Sequence, residues 1–173
     1  FSDATLLVNW LRLIKSANEI NYMKQGAKLV EVGMKTAFNN IKPGVKQSFV
    51  AGKIQNSLIA GNDEINIGGE YAGLTTILAS GISASASHLT PKDKLFENNE
   101  GTIIELAGVK NRYHCPLSRT VYTGKPDSKT TDTMKITNEG VEKAISVTKP
   151  GNTANDVAVA FWSVLEKYGI EKD

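Results

Sequence analysis

The residues with the widest chemical range lie in one segment of the chain, from Gly101 to Gly124. This segment contains a glutamate, a tyrosine, a histidine, the only cysteine and an arginine: Glu105, Tyr113, His114, Cys115 and Arg119. The only other histidine, His88, lies upstream. Carboxylates and imidazoles that share a site can accept and donate protons during hydrolysis. The sequence therefore indicates one group of candidate catalytic and binding residues.

Glu105 and His88 are the candidates best suited to catalysis. Glu105 lies in an apolar run, where a buried carboxylate requires a partner. Three roles for it remain open: binding a cationic substrate, acting as nucleophile or general base, or pairing with Arg112 or Arg119. Histidine side chains are common proton shuttles in enzymes, which makes His88 a candidate for that role. A turn histidine bonded to the backbone is the structural alternative.

Tyr113, His114 and Cys115 are consecutive, so on a strand their side chains alternate between two faces. If Tyr113 and Cys115 face the site, His114 does not. A catalytic thiolate needs an activating neighbour, and a small buried hydrophobic residue is the alternative for Cys115. His114 either contacts substrate or makes a structural hydrogen bond. Arg119 either contacts substrate or anchors the sheet through a salt bridge.

Length and composition predict one domain with a substantial core, because the 173 residues are 40% apolar. The net charge of +2 and the interleaved acids and bases argue against nucleic acid as a partner. The apolar stretches are shorter than the roughly 18 residues of a membrane span, which argues against a membrane protein. A single cysteine fits a reducing compartment, so we expect a cytoplasmic location.

Helices are predicted on both sides of a strand-rich segment. The first, Ser16–Asn40, begins with an S-x-x-E capping box that includes Glu19 and ends before the Lys42-Pro43-Gly44 turn. Trp10 and Trp162 lie at helical spacings and are expected to pack against other residues. Further helices are predicted over roughly 46–60, over 129–147 and from Ala154 onward.

Three strands are predicted between these helices: Thr75–Ala79, Thr102–Ala107 and Tyr113–Thr123. The last two are expected to be joined across Lys110-Asn111. Pro116 cannot donate a hydrogen bond to a neighbouring strand. It therefore predicts either an edge strand or a β-bulge at that position.

The pattern of helix, Lys-Pro-Gly and helix occurs twice. When Pro43 is aligned with Pro150, the identical pairs include Ala37/Ala144, Lys42/Lys149, Gly44/Gly151, Val50/Val157 and Ala51/Ala158. Three matching letters arise easily by chance, but the shared helical context favours a duplicated unit. We place the first αβ unit at 16–124 and the start of the second at 128–173. Because the first unit continues into strands, the repeat predicts that strands follow Asp173 and that 1–173 is an incomplete domain.

Taken together, these features resemble the pita-bread domain of creatinase, aminopeptidase P and prolidase. The resemblance rests on the stretch 11–20, the Ile41–Gly44 turn, His88 and the strand from Tyr113 to Gly124. It covers almost the whole chain but only about the first two thirds of that domain. It implies an α+β pita-bread (creatinase/aminopeptidase) fold with a pseudo-twofold αβ repeat, and a homodimer.

The resemblance also bears on metal binding. Metal-dependent members carry two aspartates on this hairpin, and alignment on His88 and Arg119-Thr120 puts their positions at Glu105 and Pro116. Proline has no ligating atom, and a pair of divalent ions requires several carboxylates. The sequence therefore resembles the metal-free creatinase branch, which implies no metal and no cofactor.

Within that branch, the run from Glu105 to Thr120 is most similar to the ectoine hydrolases. The resemblance implies a metal-independent hydrolase of a C–N bond in a cyclic amidine, with N-acetyl-diaminobutyrate as product. It implies catalysis by His88 and Glu105, and substrate binding by Tyr113, His114, Cys115 and Arg119. Two alternatives remain open. One is a metal-dependent Xaa-Pro aminopeptidase or prolidase relative whose ligands lie mostly beyond this sequence, and the other is a non-catalytic pita-bread binding module.

Overall fold

The computed structural model describes residues 3–71, 73, 76–86 and 88–170. These residues form an α+β fold, as the sequence predicted. The chain divides into two compact units, residues 1–124 and residues 125–173. Among the described residues, no helix has the length and apolar content needed to cross a membrane.

The first unit begins with three helices: α1 (Leu7–Leu13), α2 (Ala17–Asn40) and α3 (Gln47–Ala60). The predicted capping box starts α2, because the Glu19 amide donates to Ser16 Oγ and the Ser16 amide donates to the Glu19 carboxylate. The turn between α2 and α3 contains Gly44 at φ 83°, a left-handed conformation that favours glycine. Both predicted helices are therefore confirmed.

The short helix α1 was not predicted. Its N-cap residue, Leu6, provides no side-chain hydrogen bond, so the usual sequence signal for a helix start is missing. Trp10 on this helix is 68% exposed, and the expectation that it packs is wrong. Trp162 does pack, with its ring edge-on to Phe161 at a centroid distance of 5.4 Å.

The sheet has three antiparallel strands in the order β1 (Ile77–Ser80), β2 (Glu100–Lys110) and β3 (Tyr113–Thr123). A short 3₁₀ helix, Gly81–Ser85, follows β1. β2 and β3 are joined through Asn111 and Arg112, whose φ angles of 47° and 69° match the two central residues of a type I′ turn. The turn therefore lies one residue later than predicted. Thr75, at the start of the first predicted strand, lies outside the described residues.

Pro116 lies on β3, at an edge of the three-stranded sheet. The register of β2 and β3 runs without a slip from the pair Glu100 and Thr123 to the pair Lys110 and Tyr113. Pro116 takes its place in this register opposite Ala107. The edge position is therefore confirmed, and the bulge that was its alternative does not occur between these two strands.

Helix α2 packs across β2 and β3, and α3 packs on α2. The core between them is apolar and includes Val30, Met34, Ile54, Ile104 and Leu106. Alternate residues of β2 point to opposite sides of the sheet. We call the side toward α2 the helix face and the other side the far face. On β2 the helix face carries Thr102, Ile104, Leu106 and Gly108, and the far face carries Ile103, Glu105, Ala107 and Val109.

The second unit consists of α4 (Ser128–Val147) and α5 (Ala154–Lys167). Asp127 caps α4 by accepting a hydrogen bond from the Thr130 amide, and Thr153 with Asp156 forms a capping box on α5. The turn between the two helices contains Gly151 at φ 94°, a left-handed conformation like that of Gly44 in the first unit. α3 and α5 are both 14 residues long. The helix, turn and helix pattern predicted from the sequence thus occurs in each unit.

Candidate functional site

Glu105 and His88 lie next to each other on the far face. Glu105 sits within β2, between Ile77 of β1 and Ser118 of β3. His88 follows the 3₁₀ helix, and its Nε2 is 3.7 Å from Glu105 Oε2. The side chains are 71% exposed for His88 and 29% exposed for Glu105, so a small molecule can reach both. The structure therefore brings together the two residues that were predicted to be catalytic.

The pairing of Glu105 with His88 bears on the three roles that the sequence left open for this carboxylate. Arg112 and Arg119 were the partners named for a structural role, but neither forms an ion pair with Glu105 within the described part of the chain.

His88 has φ 59°, a left-handed conformation that residues other than glycine rarely adopt. Such conformations concentrate at functional sites and persist where the surrounding structure enforces them.

His114 shares the far face with Glu105 but lies nearer the β2–β3 turn, opposite Val109. Val109 lies four positions along the strand from Glu105, which corresponds to about 13 Å. The His114 ring meets the edge of Tyr71 at a centroid distance of 5.9 Å, and its Nδ1 is 3.1 Å from the Arg112 carbonyl oxygen. His114 therefore extends the same face without contacting the His88 and Glu105 pair.

Tyr113 points to the helix face, away from Glu105. Its hydroxyl donates a hydrogen bond of 2.6 Å to Glu19 Oε1, and its ring lies 5.8 Å from that of Tyr22. This hydrogen bond, together with the one from the Ser16 amide, lowers the pKa of Glu19 to about 2. The same hydrogen bond raises the pKa of Tyr113. Tyr113 therefore joins β3 to the start of α2.

Cys115 and Arg119 also belong to the helix face, opposite Gly108 and Ile104. Burial, and secondly the charge of Glu31, raises the pKa of the Cys115 thiol, which keeps it protonated. The Arg119 guanidinium donates 2.7 Å to the Ser118 carbonyl oxygen and makes no ion pair with a described carboxylate. Tyr113, Cys115 and Arg119 are thus not brought into contact with His88 and Glu105.

The far face also contains Pro116, to which the resemblance described above assigned the second metal-ligand position of metal-dependent members. Pro116 lies opposite Ala107, so a carboxylate at this position would share a face with Glu105. No group of three or more His, Cys, Asp or Glu that could hold a metal ion occurs in the residues that the structure describes. Those residues do not fit a two-ion site, and no catalytic step is assigned to a metal.

The sequence reasoning did not identify Gln47. This side chain is 1% exposed and contacts both ends of the loop that carries His88. Gln47 precedes Val50 and Ile54 at helical spacing and therefore lies on the apolar face of α3. A polar residue on a buried helix face needs hydrogen-bond partners, and that was the available signal.

Comparisons of the chain with a family profile, with curated sequences and with solved structures all point to related proteins. The profile of Metallopeptidase family M24 matches residues 21–173. The chain is 40% identical to the ectoine hydrolase of Halomonas elongata, over 99% of this chain and 44% of that protein. It is 27% identical to the Xaa-Pro dipeptidase of Pyrococcus furiosus, over 92% of this chain and 44% of that protein. The crystal structure of the prolidase from Pyrococcus horikoshii OT3 superimposes with a TM-score of 0.88 at 27% identity, over 98% of this chain and 47% of that one.

The chain spans less than half the length of these relatives. Within that span, the superposition on a prolidase confirms the pita-bread fold that the sequence predicted. The family profile and the 40% identical relative both cover most or all of the chain. The chain therefore belongs to Metallopeptidase family M24, within the pita-bread superfamily of creatinase, aminopeptidase P and prolidase.

Proposed function

We propose that the intact protein hydrolyses a C–N bond of a cyclic amidine without a metal ion, with ectoine as the favoured substrate. The observation that carries the proposal is the contact of 3.7 Å between His88 and Glu105, two solvent-accessible groups that can exchange protons and hold a cation. The identity of 40% with an ectoine hydrolase supports the choice of substrate. Pro116 supports the absence of a metal, because it offers no ligand beside Glu105.

The two side chains divide the chemistry between them. A water oxygen forms a bond to the amidine carbon while the imidazole of His88 accepts the proton of that water. The carboxylate of Glu105 holds the cationic ring beside the imidazole. When the C–N bond breaks, His88 returns its proton to the departing nitrogen. The remaining hydroxyl proton of the former water passes to the same nitrogen as the C=O bond forms, so that the nitrogen leaves as an ammonium group. The ring opens to an N-acetylated diaminobutyrate, and both side chains return to their starting charge.

The contribution of the pair is testable in the intact protein with ectoine as substrate. His88→Gln and Glu105→Gln each remove one proton-transfer or charged group at nearly constant volume, and each is expected to lower kcat by about 10²- to 10⁴-fold. Glu142→Gln on the exposed surface of α4 is the matched control and keeps wild-type turnover. Product is followed by the ¹H NMR signal of the new acetyl group. Wild-type turnover in either site variant would contradict the assigned roles.

A second candidate is a metal-dependent Xaa-Pro dipeptidase. Its support is the 27% identity with the Xaa-Pro dipeptidase of Pyrococcus furiosus and the superposition on a prolidase. In that case most metal ligands would come from sequence outside this chain. Elemental analysis of the intact protein separates the two candidates, because a dipeptidase of this type would carry metal in stoichiometric amounts.

We further propose that the intact protein is a homodimer that acts on a small molecule in the cytoplasm. The dimer is supported by the family of the chain, because the resemblance to the pita-bread superfamily implied a homodimer. The single cysteine supports a reducing compartment. Sedimentation equilibrium of the intact protein measures the oligomeric state, and a monomeric mass would contradict the dimer.

A further inference from the structure

A single buried glutamine joins the two ends of the loop that carries His88. Gln47 is the first residue of α3 and is 1% exposed. Its Nε2 donates 2.7 Å to Ser80 Oγ, at the end of β1. Its Oε1 accepts a hydrogen bond of 3.2 Å from the amide of Lys92. One side chain thus closes residues 81–91 into a loop whose ends are held.

The same loop ends are connected to β2. The ammonium group of Lys94 donates 3.2 Å to the carbonyl oxygen of Ser80. It also lies 3.9 Å from the carboxylate of Glu100, at the start of β2. Glu105 lies on this same strand. The position of His88 relative to Glu105 therefore depends on how the two loop ends are held.

Contacts of His88 itself do little to fix its position. Its side chain is 71% exposed, and the 3.7 Å separation from Glu105 exceeds a normal hydrogen bond. Its backbone has φ 59°, which a non-glycine residue keeps only where the surrounding structure enforces it. The held ends of the loop are one structural feature that can enforce this conformation.

We infer that Gln47 is a positioning residue, whose two hydrogen bonds set the loop 81–91 so that His88 faces Glu105. The effect on catalysis rests on the proposed function. The effect on the loop is independent of the proposed function, because the two hydrogen bonds form without any substrate.

Turnover in the intact protein tests the catalytic effect. Gln47→Met keeps the length of the side chain and removes both hydrogen bonds, whereas Gln47→Glu keeps the acceptor for Lys92 and can accept a hydrogen bond from the Ser80 hydroxyl. We expect Gln47→Met to lower kcat for ectoine by about tenfold or more with little change in KM, because misplaced catalytic groups reduce the rate of the chemical step. Gln47→Glu should recover most of the loss. The exposed Gln55, on the same helix, provides the control Gln55→Met with unchanged kcat.

Hydrogen–deuterium exchange tests the loop without any substrate. Peptides that cover 81–91 should exchange faster in Gln47→Met than in the wild type or Gln55→Met, while peptides from α2 keep their protection. If Gln47→Met does not fold, Ser80→Ala removes only the partner hydroxyl and carries the same expectation. Unchanged exchange of 81–91, or unchanged kcat, would overturn the inference. If the wild type does not hydrolyse ectoine, the proposed function fails and the exchange result alone decides the role of Gln47.

Discussion

Two carboxylates, one on each side of the β2–β3 hairpin, have different surroundings. Glu105 meets His88 on the far face and remains partly exposed to solvent. Glu19 lies by the helix face and accepts hydrogen bonds from the Tyr113 hydroxyl and the Ser16 amide. Hydrogen bonds to an ionised carboxylate favour the charged form, which explains the low pKa of Glu19.

Tyr113→Phe removes the largest cause of this low pKa. The pKa of Glu19 is about 2 in the folded protein against its usual 4.5. The stabilisation that this carboxylate provides is therefore complete above pH 4.5 and is lost as the pH falls through about 2. We expect the variant to show a higher Glu19 pKa and a smaller loss of stability over this pH range.

A carboxyl ¹³C NMR titration of Glu19 measures the pKa change directly. Tyr122→Phe is the matched control, because the Tyr122 hydroxyl donates to the Asn99 carbonyl oxygen and not to Glu19. A Glu19 pKa that stays near 2 in Tyr113→Phe would contradict the role given to this hydroxyl.

Part of the candidate site could be predicted from single residues. The alternation of side chains along a strand predicted that His114 would face away from Tyr113 and Cys115, but the choice of face required the register of β2 with β3. The contact between His88 and Glu105 required the path of the loop, whose ends take part in hydrogen bonds with a residue distant in sequence. Gln47 was missed for the same reason.

At the scale of elements, two glycines allow α2 to approach the sheet closely. A Cβ on Gly108 of β2 would overlap the carbonyl oxygen of Gly26 on α2 and lie 2.7 Å from the Val30 amide. Because both neighbours are backbone atoms, they cannot rotate away. The position of α2 on the helix face therefore depends on the absence of a side chain at Gly108.

Gly108→Ala is expected to destabilise the protein by about 1–3 kcal/mol, because it forces apart two packed backbones. Gly52, on the exposed side of α3, has no atom within 4 Å of an added Cβ. Gly52→Ala is therefore the matched control and should stabilise the protein by about 0.5–1 kcal/mol, since alanine favours a helix interior. Urea unfolding of the two variants measures both changes. Equal stability of the two variants would contradict the close packing of α2 on β2.

The elements that were predicted well are those with local signals. The capping box of Ser16 and the two Lys-Pro-Gly turns set the limits of the long helices within about one residue. α1 has no capping side chain, and all of its described residues are exposed, so neither caps nor burial marked it in the sequence. The 3₁₀ helix Gly81–Ser85 consists mostly of small residues, a composition that resembles a loop.

At the scale of the whole molecule, the chain contains two units that each carry the helix, turn and helix pattern. It spans 44% of the length of the ectoine hydrolase to which it is similar. The far face, with Glu105 and His88, forms one wall of the proposed site. The proposed turnover is therefore to be measured on the full-length protein.

The most direct test of the proposed function compares two reactions in the intact protein after dialysis against a chelator. We expect the metal-depleted protein to convert ectoine to N-acetyl-diaminobutyrate, and we expect added Mn²⁺ to leave that rate unchanged. We expect no cleavage of an Xaa-Pro dipeptide with or without Mn²⁺. Absence of the acetylated product, together with hydrolysis of the dipeptide once Mn²⁺ is added, would contradict a metal-independent amidine hydrolase.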